Sequence, residues 1–208
     1  MNARSIMKRV LHAASTGAVA PLLALYTAER LALPESRRDP LFQGYSQALA
    51  MVPGFTGQYL RRAFYAAVLD ACDLDTCVQW GTIFSSTHAR LGRGVYVGAR
   101  CMLGRVDLAP HATLGSNVDI LSGKNQHGFD DPDTPVQDQP GRYEVVRIGT
   151  NTWVGNGAVV LADVGARCVV AAGAVVTSEV PDDVVVGGNP ARVLRRRDPE
   201  TRRWVRAT

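Results

Sequence analysis

The sequence predicts a mainly β fold: a parallel β-helix of six-residue repeats with an α-helical N-terminal region. Three observations predict it. Aliphatic residues recur at six-residue intervals through much of residues 91–176, glycine directly follows many of them, and the first 75 or so residues lack the repeat and carry helix-like spacing.

In residues 1–75, Tyr45 to Met51 and Tyr59 to Leu69 have helical spacing, and Leu60, Phe64 and Val68 recur every four residues on one face. Pro34, Pro40, Pro53 and Gly54 divide the region into short pieces. The apolar stretch Ala13–Tyr26 follows Lys8 and Arg9. Pro21 is expected to interrupt it, and Ser15 and Thr16 dilute it, so it is expected to fall short of both a secretory signal and the roughly 20 apolar residues of a membrane span. Residues 5–33 are expected either to lie on a membrane surface, with Leu22, Leu23, Leu25 and Tyr26 at the headgroup boundary, or to pack on the protein's own trimer.

Residues 76–195 carry the repeat. Ile148-Gly149-Thr150-Asn151-Thr152-Trp153 is followed by Val154-Gly155-Asn156-Gly157-Ala158-Val159, and further units begin at Leu91, Val97, Leu103, Leu114, Ile120, Val164, Val170 and Val176. Each unit supplies one short strand and a bend, and three units close one triangular coil. Leu91, Val97, Leu103, Val154, Val164 and Val170 then stack as ladders inside the prism. Val95, Cys101, Val118, Ala158, Cys168 and Ala174 fill the adjoining wall, where space is limited. The glycines at the second position, such as Gly92, Gly98 and Gly149, stand where a Cβ would crowd the bend. Shortened corners are expected between Leu103 and Leu114 and between Val160 and Val164.

Residues 122–147 leave the repeat, and a long excursion from a rigid solenoid marks a functional loop. It contains Asn125, Gln126 and His127, with Asp130, Asp131, Asp133 and Glu144 as carboxylates that could orient the histidine ring. Residues 196–208 are expected to be a basic solvated tail.

Composition narrows the function. The chain has 208 residues, a net charge of +4 and basic residues spread along it except for Arg195, Arg196 and Arg197 with Arg202, Arg203 and Arg206 at the C-terminus, a cluster that suits a solvated end and not a nucleic-acid partner. Its four cysteines, at 72, 77, 101 and 168, follow no disulfide framework and have no histidine partners, so a reducing, cytoplasmic compartment and no metal are expected.

The run Ile148 to Ala158, with Val170-Ala171-Ala172-Gly173-Ala174-Val175-Val176-Thr177, Val180-Pro181 and Gly187-Gly188-Asn189-Pro190-Ala191-Arg192-Val193, resembles the hexapeptide-repeat acyltransferases. That family includes galactoside, maltose, nodulation-factor and antibiotic O-acetyltransferases. The resemblance covers about Val78 to Arg195. It implies a left-handed β-helix, although parallel crossovers ordinarily turn right-handed. It also implies a homotrimer with sites between neighbouring prisms, acetyl-CoA as donor, and His127 as general base for transfer to a sugar or surface-polysaccharide hydroxyl. The family often has proline after this histidine, where Gly128 stands here.

By the same resemblance, Ala172 and Thr177 meet the pantetheine arm, Trp153 and Asn156 line the site, and Arg192 and Arg195 approach the nucleotide phosphates. Asn125 and Gln126 are expected to contact the acceptor. A lysine common after the threonine is Ser178 here, which removes one phosphate contact.

The competing readings are a serine or other small-molecule acetyltransferase, a γ-type carbonic anhydrase and a non-catalytic scaffold. The first carries a longer helical N-terminal domain than this chain. The second requires a close histidine pair that His88, His111 and His127 do not form in sequence. The third would tolerate loss of His127. A sugar nucleotidyltransferase would carry a glycine-rich nucleotide domain that residues 1–75 lack.

Overall fold

A computed structural model describes residues 3–207. Three helices, α1 (Ala3–Ala32), α2 (Arg38–Ala50) and α3 (Gly54–Val68), precede the strands. The chain then winds through three parallel sheets. The first sheet contains β1 (Ala71–Cys72), β4 (Ala89–Leu91), β7 (Val106–Leu108) and β10 (Val146–Ile148). The second stacks β2 (Cys77–Val78), β5 (Tyr96–Val97), β8 (Thr113–Leu114), β11 (Trp153–Val154), β13 (Val169–Val170) and β15 (Val184–Gly187). The third stacks β3 (Ile83–Phe84), β6 (Met102–Leu103), β9 (Asp119–Ile120), β12 (Val159–Val160) and β14 (Val175–Val176). Visiting the sheets in rotation makes about six turns of a left-handed β-helix.

The six-residue period is the cause. Leu91, Val97, Leu103, Leu114, Ile120, Ile148, Val154, Val160, Val170 and Val176 are each at most 1% exposed and form the interior ladders. Cys101, Ala158, Cys168 and Ala174 are buried beside them, so both of these cysteines are packing residues. The first expected short corner contains its own ladder residue, Leu108, five positions after Leu103. The second runs from Val160 to Val164, which pairs with Ile148 as a single bridge.

The glycines one residue beyond the ladder permit close stacking. A Cβ on Gly92 would lie 2.8 Å from the Pro110 backbone nitrogen of the next coil. Left-handed backbone falls two positions later, at Gly94, Arg100, His111, Asn117, Asn151, Gly157, Arg167, Gly173 and Asp183. Several are not glycine, and coil-to-coil hydrogen bonds hold them: the Asn117 amide donates to Ala99 O at 2.8 Å and the Arg167 amide to Thr150 O at 2.9 Å.

The helices cap the first coil. Tyr26, Phe42, Phe64, Tyr65 and Phe84 form a continuous aromatic cluster, with the Tyr65 and Phe84 ring centroids 4.9 Å apart. Ser46 joins the layers: its hydroxyl lies 2.8 Å from Tyr65 Oη and accepts the Phe84 amide at 2.9 Å. Phe64 is fully buried, with Leu60 and Val68 packed partly on the same core, as their four-residue spacing predicts.

Three expectations change. Pro21 does not interrupt the N-terminal segment: α1 runs through it, because Val19, Leu22, Leu23 and Tyr26 are held against the rest of the molecule. Val10–Ala32 is consequently long and apolar enough to cross a membrane by length and composition, and only 17% of that window is buried. The first coil begins at β1, before residue 76. The C-terminal segment 196–208 is not a free tail: β16 (Arg192–Arg197) pairs antiparallel with β15, and β17 (Trp204–Arg206) pairs with β16. That hairpin covers the backbone edge that β15 would otherwise expose.

Candidate active site

The excursion leaves the prism after β9 and returns at β10, at the corner between the third and first sheets. Its two arms are tied at the base, where the Glu144 amide donates to Ser122 O at 2.9 Å and the Arg142 amide to Asn125 O at 2.7 Å. The outer part is organised by buried Gln139, whose Nε2 donates to the carbonyls of Asp131 and Thr134, both at 2.8 Å. Asn125 and His127 are exposed on the first arm, and Gln126 between them is half-buried with Nε2 donating to Gly123 O.

No loop carboxylate bonds to the His127 ring among the described residues. Glu144 is paired with Arg142. Asp131 accepts from Thr134 Oγ1 at 2.7 Å and from the Asp133 amide at 3.0 Å, and those bonds hold its carboxyl below the ordinary range. His88 approaches Asp70 at 3.2 Å, and His111 is an exposed corner residue. Among the described residues, no group of three or more His, Cys, Asp or Glu side chains could hold a metal ion.

A cleft of about 580 Å³ opens at the foot of the loop, with Lys124, Arg147, Asp163, Thr177, Ser178 and Glu179 among its walls. Thr177 is thereby brought to the corner that carries His127. The other residues singled out in sequence lie elsewhere. Trp153 is 55% exposed on the outer face of the second sheet. The strand register continues its row through Val169 and Val185 to Arg195. Arg192 lies exposed at the start of β16, opposite Gly187. Neither arginine has an acidic partner among the described residues, unlike Arg197, which bonds Asp183 at 3.0 Å. Asn156 and exposed Ala172 occupy the corner between the second and third sheets, where Asn156 Oδ1 accepts the Ser116 amide at 3.0 Å.

One chain therefore sets His127 and Thr177 at one edge of the third sheet and Trp153, Asn156, Ala172, Arg192 and Arg195 at or beyond the other. It does not bring the two groups together.

A second cleft, of about 260 Å³, lies between α2 and the loop, walled by Asp39, Ser85, Ser86, Arg105, Gln126 and Tyr143 among others. Sequence reasoning reached only Gln126 of these. Asp39 carries no motif and stands in a helix far from the loop in the chain, so only the stacking of corners assembles this wall.

Fold and excursion together define a left-handed β-helix with a looped-out histidine, and comparison places it beside known proteins. No family model matches the chain. It is 31% identical over 121 residues to the galactoside O-acetyltransferase of Lactococcus lactis, covering 54% of this chain and 55% of that protein. It is 26% identical over 131 residues to a putative lipopolysaccharide biosynthesis O-acetyl transferase of Escherichia coli, covering 61% and 67%. The chain spans about half the length of several other curated relatives it matches. The crystal structure of a maltose O-acetyltransferase from Clostridium difficile superposes with a TM-score of 0.66 at 19% identity, over 76% of this chain and 87% of that one, which establishes the fold. In sequence and in fold, the chain resembles the hexapeptide-repeat acyltransferases.

Proposed function

We propose that the protein is an acyl-CoA-dependent O-acyltransferase that acetylates a sugar hydroxyl, with His127 as general base. The observation that carries this reading is the single long break in the coil, which bears an exposed histidine and has at its foot a cleft walled by Lys124 and Thr177. The similarity to O-acetyltransferases supports the reaction class, and acetyl-CoA is the donor that class uses.

The chemistry requires few groups. A sugar hydroxyl is a weak nucleophile, and neutral imidazole can take its proton as the oxygen attacks the thioester carbonyl. The tetrahedral oxyanion then collapses, the C–S bond breaks, and the imidazolium returns the proton to the departing CoA sulfur. No acyl-enzyme is needed. Arg192 and Arg195, without acidic partners among the described residues, would take the nucleotide phosphates, and the outer row from Trp153 to Arg195 offers a track for the pantetheine arm.

Separation of the two residue groups within one chain favours a homotrimer. Threefold closure sets the His127 corner of one protomer against the Trp153 side of its neighbour, giving three equivalent shared sites. A monomer that is fully active at micromolar concentration in sedimentation would contradict this arrangement. Between Arg9 and Glu29, α1 carries no Asp, Glu, Lys or Arg and is largely exposed, which supports contact with the inner face of the cytoplasmic membrane. Co-sedimentation with anionic vesicles tests that contact, and failure to bind would assign the face to protein packing.

The activity test is a mass-spectrometric screen of several acyl-CoAs against free, nucleotide-linked and lipid-linked sugars, with serine included. Acetylated sugar is the expected product. Transfer to serine alone, or to nothing, would overturn the assignment.

A further inference from the structure

The cleft between α2 and the loop has a polar pattern that the transfer chemistry leaves unused. Its levels follow the stacked corners. Asp39 and Ser86 form the floor, with Ser86 Oγ donating to Asp39 Oδ1 at 3.2 Å. Arg105 stands one coil above, and Gln126 and Tyr143 belong to the loop above that. The floor carboxylate keeps its second oxygen without a bond among the described residues, so it can accept from a ligand hydroxyl.

Arg105 is the cation among the walls of this cleft. Its backbone amide is fixed by Ser122 Oγ at 2.8 Å, and its guanidinium lies over the Tyr143 ring at 5.6 Å from the centroid. Among the described residues, no carboxylate pairs with it and no side-chain N–H of it is bonded within the chain. Arg142, Arg147, Arg167 and Arg197 have acidic partners, whereas Arg105, like Arg192 and Arg195, has none among the described residues. A neutral acceptor closing this cleft would strip water from the guanidinium and return only single, uncharged hydrogen bonds, whereas a carboxylate or phosphate would take its planar fork in two charge-assisted ones.

We propose that this cleft is the acceptor subsite and that it selects an acidic sugar, with the anionic group on Arg105 and a hydroxyl on Asp39. This rests on the acyl-transfer reading above. Gln126 immediately precedes His127, so the cleft and the proposed base share the first arm of the loop.

The test uses three probes on the full chain: methyl β-D-glucuronide, glucose 6-phosphate and methyl β-D-glucoside. Binding is read by saturation-transfer NMR and acetyl transfer by KM, for the wild type, Arg105→Gln and Arg105→Lys. At least one acidic probe should bind about tenfold or more tighter than the glucoside. Arg105→Gln should abolish that preference, and Arg105→Lys, which keeps the charge without the fork, should retain part of it. Unchanged melting temperature and acetyl-CoA affinity verify the folded state; if Arg105→Gln fails this check, the Lys variant carries the comparison. Equal binding of acidic and neutral probes, a preference that survives both substitutions, or no binding of either acid at millimolar concentration would overturn the proposal. An Arg105-dependent preference without acetyl transfer would instead sink the acyl-transfer reading and leave the anion subsite standing. Acetylation of the glucoside with no dependence on Arg105 would do the reverse.

Discussion

Arg61 is fully buried in α3 and faces no acid among the described residues; its Nε and Nη1 are bonded to backbone carbonyls, and its Nη2 has no partner there. Nη1 donates to Leu49 O at 3.0 Å and to Val52 O at 2.7 Å, and Nε donates to Val78 O at 3.1 Å. One side chain thus fastens the end of α2, the turn after it and the first coil. In Arg61→Ala, Leu49 O keeps the Val52 amide, but Val52 O and Val78 O lose the bonds that satisfy them. The buried Val78 carbonyl left unpaired costs about 1–3 kcal/mol and the partly buried Val52 carbonyl less, so the loss is about 2–4 kcal/mol before the cavity is counted. Taking about 3 kcal/mol, the melting temperature should fall by roughly 6–12 °C for a chain of this size. Arg61→Lys, able to reach one carbonyl, should lose less. Because α2 carries Asp39, the Ala variant should also weaken the acceptor cleft while leaving the β-helix circular dichroism intact. Thermal melts followed by circular dichroism measure the effect, and a shift under about 2 °C would refute the clamp.

Other outcomes follow from charge. Arg192→Ala with Arg195→Ala should weaken acetyl-CoA binding more than it lowers kcat, because contacts remote from the carbonyl act as uniform binding; unchanged affinity by calorimetry would return both residues to the solvated surface. Asp183 is held below the ordinary carboxylate range by Arg167 and then by Arg197, which joins the sixth-coil corner to β16. A depressed folded pKa stabilises above the unfolded carboxylate value and loses that contribution as pH falls through the folded value. Amide exchange in β16 and β17 should therefore accelerate in strong acid, and Asp183→Asn should flatten the dependence. Exchange independent of pH-driven opening in the wild type would contradict the tie.

The ladders were legible because burial on one side of a short strand leaves a strict period in the aliphatic residues: Leu91, Val97 and Leu103 take the three faces of one coil at six-residue steps, and Leu114 and Ile120 stack on the last two. Leu108 was missed because a five-residue step breaks that period. The glycine positions were legible as crowded sites, but the left-handed corners were not, since Arg100, Asn151 and Arg167 occupy them by virtue of inter-coil hydrogen bonds that no local pattern encodes. Bridging threonines were equally hidden: Thr152 Oγ1 donates to Gly165 O at 2.6 Å and accepts the Cys168 amide at 3.0 Å, contacts that exist only after stacking. At the site, the excursion pointed to His127 by interrupting the repeat. Asp39 and Arg105 gave no such signal, because their meeting is produced by α2 packing beneath the first coil. The C-terminal arginines read as a tail because charge outweighed the β-propensity of Val193, Trp204 and Val205; the open edge of β15 reversed that balance.

The measurement that bears most directly on the account is steady-state acetyl transfer by His127→Ala, using the best acceptor from the screen and with acetyl-CoA affinity measured alongside. Removing a general base while leaving the groove in place should lower kcat by about 10²-fold or more, with the assembly state and CoA affinity unchanged. A variant that binds acetyl-CoA normally and turns over at near wild-type kcat would contradict the central claim.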